Sequence, residues 1–342
     1  MDKYLVVLLV AFFSAWHLVS GLDMSIIEQD LLRSPPDCEE GTELIILIHS
    51  KPDHYELRKT LRSTWATSHE SLRHVFFVGR SISAAEKDLD DDEDVNARVL
   101  EESDTFHDIA LIDMRDSYHN LTFKHAIGHK WAIEKCPKTA FVLKTDDDVF
   151  VDTIHLVYYL NSFKFKADTG FILCHLIEDQ VPVRSRDELN GKWYLSHEDY
   201  AEETFPPYCS GSAYVTSLAA ITRIQEVISE IAYLFVDDVF MTGLATRMLP
   251  NDVQIFDWSG SFLIQHMDDE KMLLDPESRF YSPLLMVAYD IPAEAIRVLF
   301  EKAKLCLRNV EKCYGILYSN SDTMKKYIPP KLDRMRSSRT EL

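Results

Sequence analysis

The sequence predicts an α/β fold with a largely parallel central sheet flanked by helices. Short apolar runs recur at 43–48 (ELIILI), 74–79 (HVFFVG), 108–112 (DIALI) and 140–144 (AFVLK). These runs are continuous rather than alternating, as in strands covered on both faces. Stretches with helical spacing lie between them, and strands alternating with helices build parallel crossovers.

The chain has 342 residues, 46% of them hydrophobic, enough for a large buried core. Its net charge of −20 would repel a phosphate backbone, so general nucleic-acid binding is not expected. Residues 4–22 (YLVVLLVAFFSAWHLVSGL) carry no acidic or basic side chain; Lys3 precedes them and Asp23 follows. A run of this length nearly spans a bilayer. The expectation is an uncleaved signal anchor over 1–22, with the bulk of the chain luminal (type II); a cleaved signal peptide is the alternative. Residues 23–41, with Ser34-Pro35-Pro36, read as a short stem.

The first strand ends at His49-Ser50, and a helix is expected from about His54 to Thr67. The acidic stretch Glu86 to Asp94 suits a solvated helix end or loop. Residues 120–135 are helical, with Phe123, Ile127 and Trp131 on one face, until Pro137 stops them. A further helix is expected over about 153–162 and another over about 238–247. The six cysteines (38, 136, 174, 209, 306 and 313) form no CxxC pair and no zinc pattern. An even number suits disulfides in an oxidising lumen, but the pairing is not deducible; Cys306 and Cys313 are close enough for a local pair. Asn120-Leu121-Thr122 is an N-glycosylation sequon.

Four features could carry chemistry. Asp146-Asp147-Asp148 follow the fourth strand directly, with apolar residues on both sides. Such a triplet is a solvated turn or a site for a hard divalent cation at the carboxyl edge of a sheet. Asp237 and Asp238 sit among large apolar residues; Asp237 could cap the next helix, leaving Asp238 as a candidate general base. His266 follows an apolar run and is a core residue or a metal ligand. Arg58 and Arg62 lie four apart on the first helix, where they could grip a diphosphate or pair with surface acids.

Taken in order, these segments resemble the β1,3-galactosyltransferase and β1,3-N-acetylglucosaminyltransferase family (glycosyltransferase family 31), to which the Fringe proteins are distantly related. The residues that carry the resemblance are YELRKTLRSTW (55–65), DSYHNLTFKHAIGHKW (116–131), CPKTAFVLKTDDDVFVD (136–152), KWYLSHEDY (192–200), FPPYCSGSAYVTS (205–217), VDDVFMTG (236–243) and His266. The resemblance implies a GT-A type glycosyltransferase fold with a Rossmann-like sheet and a catalytic domain over 42–270; the less periodic remainder, 271–342, reads as a partly helical C-terminal extension whose basic, polar end frays. It implies a type II Golgi or endoplasmic-reticulum anchor, Mn2+, a UDP-sugar donor (UDP-galactose or UDP-N-acetylglucosamine) and a glycan acceptor on glycoprotein or glycolipid.

Residue by residue, the resemblance makes Asp148 and His266 metal ligands and Asp238 the catalytic base. It places Arg58, Arg62, Lys144, Asp146, Asp147, Trp193 and Gly211 around the nucleotide sugar, with Tyr194 and a turn at Cys209-Ser210-Gly211 lining the cleft. The chain departs from the family pattern at Ser212 and Ala213, where many members carry glycines, and in having Asp-Asp for Glu-Asp at 237–238. The activity implied is inverting hexosyl transfer in β1,3 linkage. A non-catalytic luminal carbohydrate-binding protein on the same fold is the alternative, and an unrelated metal-dependent hydrolase ranks below it.

Overall fold

The apolar run after Glu43 becomes strand β1 (Leu44–His49), and all six of its residues are buried. Leu44, Ile46 and Ile48 pack into one core, with Phe76 and Phe141. Ile45 and Leu47 pack into a second core on the other face, with Phe77 and Trp131. A strand hidden on both faces has no need of polar alternation, hence the continuous apolar pattern. The computed structural model describes residues 21–29, 31–67, 71–82, 89–160, 169–186, 191–263, 287–288 and 291–308.

Helix α1 is Met24–Glu28, α2 Tyr55–Arg62, α3 Leu89–Phe106, α4 Leu121–Lys135, α5 Thr153–Leu160, α6 Leu218–Val227, α7 Ala245–Arg247 and α8 Ala293–Arg308. The other strands are β2 (Leu72–Arg80), β3 (Ile109–Arg115), β4 (Phe141–Asp146), β5 (Phe150–Val151), β6 (Gly170–Ile177), β7 (Tyr208–Ser217), β8 (Val253–Asp257), β9 (Phe262–Leu263) and β10 (Val287–Ala288). Helix α2 stops short of the expected Thr67. The Ser63 and Thr64 hydroxyls bond back to the Lys59 and Thr60 carbonyls and tighten the chain into turns. The acidic stretch supplies the N-terminal turns of α3, the end at which the helix dipole favours negative charge.

The main sheet runs β3-β2-β1-β4-β7-β6-β8, and a small sheet runs β5-β10-β9. Strands β3, β2, β1 and β4 are mutually parallel. Strand β7 is antiparallel to both β4 and β6, and β8 runs parallel to β6. The sheet is therefore mixed, with a single reversed strand. The turn expected at Cys209-Ser210-Gly211 is instead the start of this strand: Cys209 pairs with Leu176 of β6 and is disulfide-bonded to Cys174. Helices α4 and α6 pack together on one face, and α8 packs against α2 and α5 on the other.

The segment expected to be a stem lies on the sheet. Leu22 and Ile27 are buried, Arg33 pairs with Leu111 at the outer edge of β3, and Cys38 is disulfide-bonded to Cys136 at the end of α4. Covering an edge strand removes a site of unwanted pairing. Part of the expected C-terminal extension also joins the core, since Ile296, Leu299 and Ala303 of α8 are buried. Among the described residues no helix is long and apolar enough to cross a membrane, and the expected anchor lies almost wholly outside them. The Cys306–Cys313 pairing also lies outside the described side chains.

Candidate active site

Parallel strands deliver their carboxyl ends to one edge of a sheet, where ligands bind in open α/β folds. Here β1 ends at His49 opposite Asp146 of β4. The Asp147 amide then donates to the His49 carbonyl at 3.1 Å, extending the ladder one step. Because β7 runs the other way, its beginning reaches the same edge. The buried Lys144 joins the two: its Nζ donates to Asp146 Oδ1 at 2.9 Å and to the Gly211 carbonyl at 2.6 Å.

The acid pair sits against this junction. Asp238 accepts from the Val239 amide (2.8 Å, Oδ1) and from the Gly211 amide (3.1 Å, Oδ2). It, and not Asp237, caps the following helix, which opens as a π-helical segment over Val239–Leu244. A Cβ on Gly211 would stand 3.0 Å from Asp238 Oδ2, so any side chain here would press on the Asp238 carboxylate. Burial, and then the Asp237 charge, push the Asp238 carboxyl up to about 7. Asp237 accepts from His125 Nδ1 at 2.8 Å and lies 3.9 Å from Lys144 Nζ. Burial alone would raise the Asp237 carboxyl, but Lys144 and the His125 bond outweigh it and hold the group low.

The three carboxylates of the triplet have different surroundings. Asp146 keeps 41% of its side chain open. Crowding by the protein pushes it up towards 6 against the pull of Lys144, with Asp237 and Asp148 adding to the push; its solvent contact moderates that shift. Asp147, expected beside the nucleotide, is 4% exposed and held by His54 Nδ1 at 2.9 Å. It pins the start of α2 to the end of β4, and the Asp147 bond raises the His54 pKa. Asp148 is half-buried, and its carbonyl accepts from the Ile291 amide at 3.2 Å. His266, its expected companion ligand, lies outside the described residues. Among the described residues no three His, Cys, Asp or Glu side chains are gathered to hold an ion.

The diphosphate grip expected of Arg58 and Arg62 is not what the structure shows. Arg58 is fully buried; it donates to Glu102, to Ser50 Oγ and to the Lys51 and Pro52 carbonyls. Arg62 donates to Glu102 and Asp108, at 2.7 Å each. Both guanidinium groups are consumed in an ion-pair network with buried acids, which shapes the loop after β1. Trp193 is 36% exposed, and the neighbouring Tyr118 hydroxyl is pushed up by burial and then by Asp237 and Asp238. Trp193 stands beside Tyr118, with Lys192 Nζ 4.0 Å from its ring centre. Tyr194 lies beside it, within van der Waals reach of the Arg186 guanidinium. At the sequon, the Asn120 side-chain amide donates to the Arg115 carbonyl, and the Thr122 hydroxyl is buried against the Leu234 carbonyl.

Sequence reasoning missed His54, Tyr118, His125 and Tyr214. The spacing of His125 and His129, four apart on the buried face of α4, was the available signal. His54 and Tyr118 carry no pattern that separates them from ordinary polar loop residues.

The sheet edge thus sets an ionisable, backbone-fixed acid, Asp238, beside a cluster of carboxylates. The chain belongs to the galactosyltransferase family, whose model matches residues 56–255, more than half of the chain. It is similar to beta-1,3-galactosyltransferase 1 of Mus musculus, 31% identical over 224 residues that make up 64% of each protein. It is also similar to the lactosylceramide 1,3-N-acetyl-beta-D-glucosaminyltransferase of Rattus norvegicus, 29% identical over 67% of this chain and 61% of that one. Human beta-1,3-galactosyltransferase 2 is 30% identical over 68% of this chain and 55% of its own. The matches thus span less than two thirds of the length of these relatives.

Proposed function

We propose that the chain is an inverting hexosyltransferase that moves galactose or N-acetylglucosamine from a UDP-sugar to a glycan hydroxyl in β1,3 linkage. The observation that carries this reading is the Asp238 carboxylate, fixed by two backbone amides and pushed up to about 7 beside Asp237. A base with a pKa near the working pH is well matched to taking a proton from a hydroxyl. Family membership and the β1,3-transferase relatives support the same reaction class. No observation favours the non-catalytic alternative.

In this mechanism the acceptor hydroxyl gives its proton to an Asp238 oxygen as its own oxygen bonds to the anomeric carbon. The bond from that carbon to UDP breaks on the opposite face, UDP leaves with the electron pair, and the configuration inverts. Gly211 and Val239 hold the base in line. Lys144 orients the accessible carboxylate of Asp146 towards the donor, and Trp193 forms an apolar rim for a sugar face.

Asp146, Asp237 and Asp238 set carboxylates around Lys144, and burial first, then Asp237 and Asp148, raise Asp146. Carboxylate oxygens of this kind suit a hard divalent cation such as Mn2+, and Asp148 and His266 would be its protein ligands. When bound, such a cation supplies Lewis-acid neutralisation of the leaving diphosphate. The two disulfides and the apolar run at 4–22 support a luminal, type II Golgi membrane protein, and family membership with the mixed α/β sheet supports a GT-A architecture.

The test is transfer by the purified full-length chain with Mn2+, UDP-galactose or UDP-N-acetylglucosamine, and a panel of glycan acceptors. Asp238→Asn should abolish transfer. An Asp238→Asn protein as active as the wild type would overturn the assignment.

A further inference from the structure

Behind Asp237 lies a buried line of hydrogen bonds that leads away from the site. His125 Nδ1 meets Asp237 Oδ2 at 2.8 Å, His125 Nε2 meets the Tyr214 hydroxyl at 2.5 Å, and His129 Nε2 meets the same hydroxyl at 3.0 Å. His125, His129 and Tyr214 are each 1% exposed or less. Donor and acceptor roles follow from chemistry alone. An ionised carboxylate only accepts, so His125 Nδ1 carries its proton. Burial keeps the ring neutral, so Nε2 accepts, and the Tyr214 O–H donates to it. The Tyr214 oxygen then accepts from His129 Nε2–H. This leaves His129 Nδ1 as the bare nitrogen, and it is the one with no partner among the described residues. All four groups are oriented in one direction, from α4 through β7 to the acid pair.

We propose that His125 is a positioning residue for the transfer reaction: it holds Asp237 through Nδ1 while the Tyr214 hydroxyl fixes its ring from behind. The proposal rests on the transferase reading of Asp238. His125 touches neither donor nor acceptor and works through Asp237, the neighbour whose backbone leads directly into the base. Anchoring Asp237 to α4 fixes where Asp238 starts the helix and keeps a negative charge beside it. Bonds in a directed, low-dielectric chain reinforce one another, so losing the middle member releases more than one contact.

Three variants of the full-length chain test this, with Mn2+ and either UDP-galactose or UDP-N-acetylglucosamine as donor. His125→Phe keeps a ring and removes both nitrogens; kcat should fall about 30-fold with the donor KM within about twofold. His125→Asn puts an amide N–H where Nδ1 was and should recover most of that loss. Tyr214→Phe keeps the fold and loosens His125; kcat should fall about threefold to tenfold. If His125→Phe does not fold, Tyr214→Phe decides, with the His125→Asn kcat read against the wild type. Wild-type kcat in a folded Tyr214→Phe, or no recovery in a folded His125→Asn, overturns the positioning role and leaves the transferase reading intact. A wild type that moves no sugar from either donor overturns both.

Discussion

The Gly211 amide donates to Asp238 across 3.1 Å, and a side chain at 211 would crowd that carboxylate. A Cβ at 211 would stand 3.0 to 3.3 Å from three Asp238 atoms. Asp238 is also held by Val239, so it cannot yield without losing a bond. Gly211→Ala should therefore lower kcat by about tenfold or more while the melting temperature moves little. Steady-state kinetics beside a thermal melt would check this; unchanged kcat would show that the approach is slack.

Asp238 must be ionised to accept a proton, and its pKa is raised, so activity should rise with pH. The acid limb of kcat/KM should lie at or below about pH 7, since a bound cation would pull it lower. Asp238→Asn should remove the limb together with the activity. A flat profile from pH 5 to about pH 8 would argue for another base.

Asp108 provides a stability test away from the chemistry. Its burial would raise the carboxyl, but Arg62 and His74 outweigh this and bring it from 3.8 down to about 2. A depressed acid stabilises the fold at pH above its unfolded value and loses that contribution as pH falls through its folded one. About 2 kcal/mol should thus disappear between roughly pH 4 and pH 2. Asp108→Asn should flatten that part of the unfolding free energy against pH, as measured with urea.

Glu102 is 5% exposed and holds both Arg58 and Arg62. Glu102→Ala would leave the buried Arg58 without its carboxylate partner and remove one of Arg62's two, and should destabilise the fold by about 3–5 kcal/mol. Chemical denaturation measures this directly. A loss under about 1 kcal/mol would mean that the loop carbonyls suffice.

The disulfide between Cys174 and Cys209 links neighbouring strands, 35 residues apart in sequence. Replacing both cysteines by alanine should cost about 2–4 kcal/mol. Gly211 lies two residues on, so kcat should fall as well. A variant that loses stability and keeps full kcat would separate the bridge from the site.

Much of this was legible in the chain. The four buried strands and the helices between them announce themselves because a strand covered on both faces is a plain apolar run. Asp238 and the triplet stand out because carboxylates are costly beside apolar residues. What was hidden depends on partners far away in sequence. Arg58 and Arg62 could serve phosphate or acid equally well until Glu102 and Asp108 were placed against them. The reversed direction of β7 is invisible, since antiparallel and parallel burial look alike, and Cys209-Ser210-Gly211 resembles a turn. Asp147 looked like its neighbours until His54 claimed it.

The reversed strand has a consequence for cooperativity. On one side of β7 stand β3, β2, β1 and β4; on the other stand β6 and β8, and among the described strands β7 alone hydrogen-bonds the two groups into one sheet. The same strand carries Gly211. Partial opening that severs the halves therefore dismantles the acid pair's support in the same event, with no frayed state that retains it. Heat inactivation should follow the global unfolding transition closely, and stabilising substitutions far from the cluster should extend the working temperature range by the same interval as the melting point.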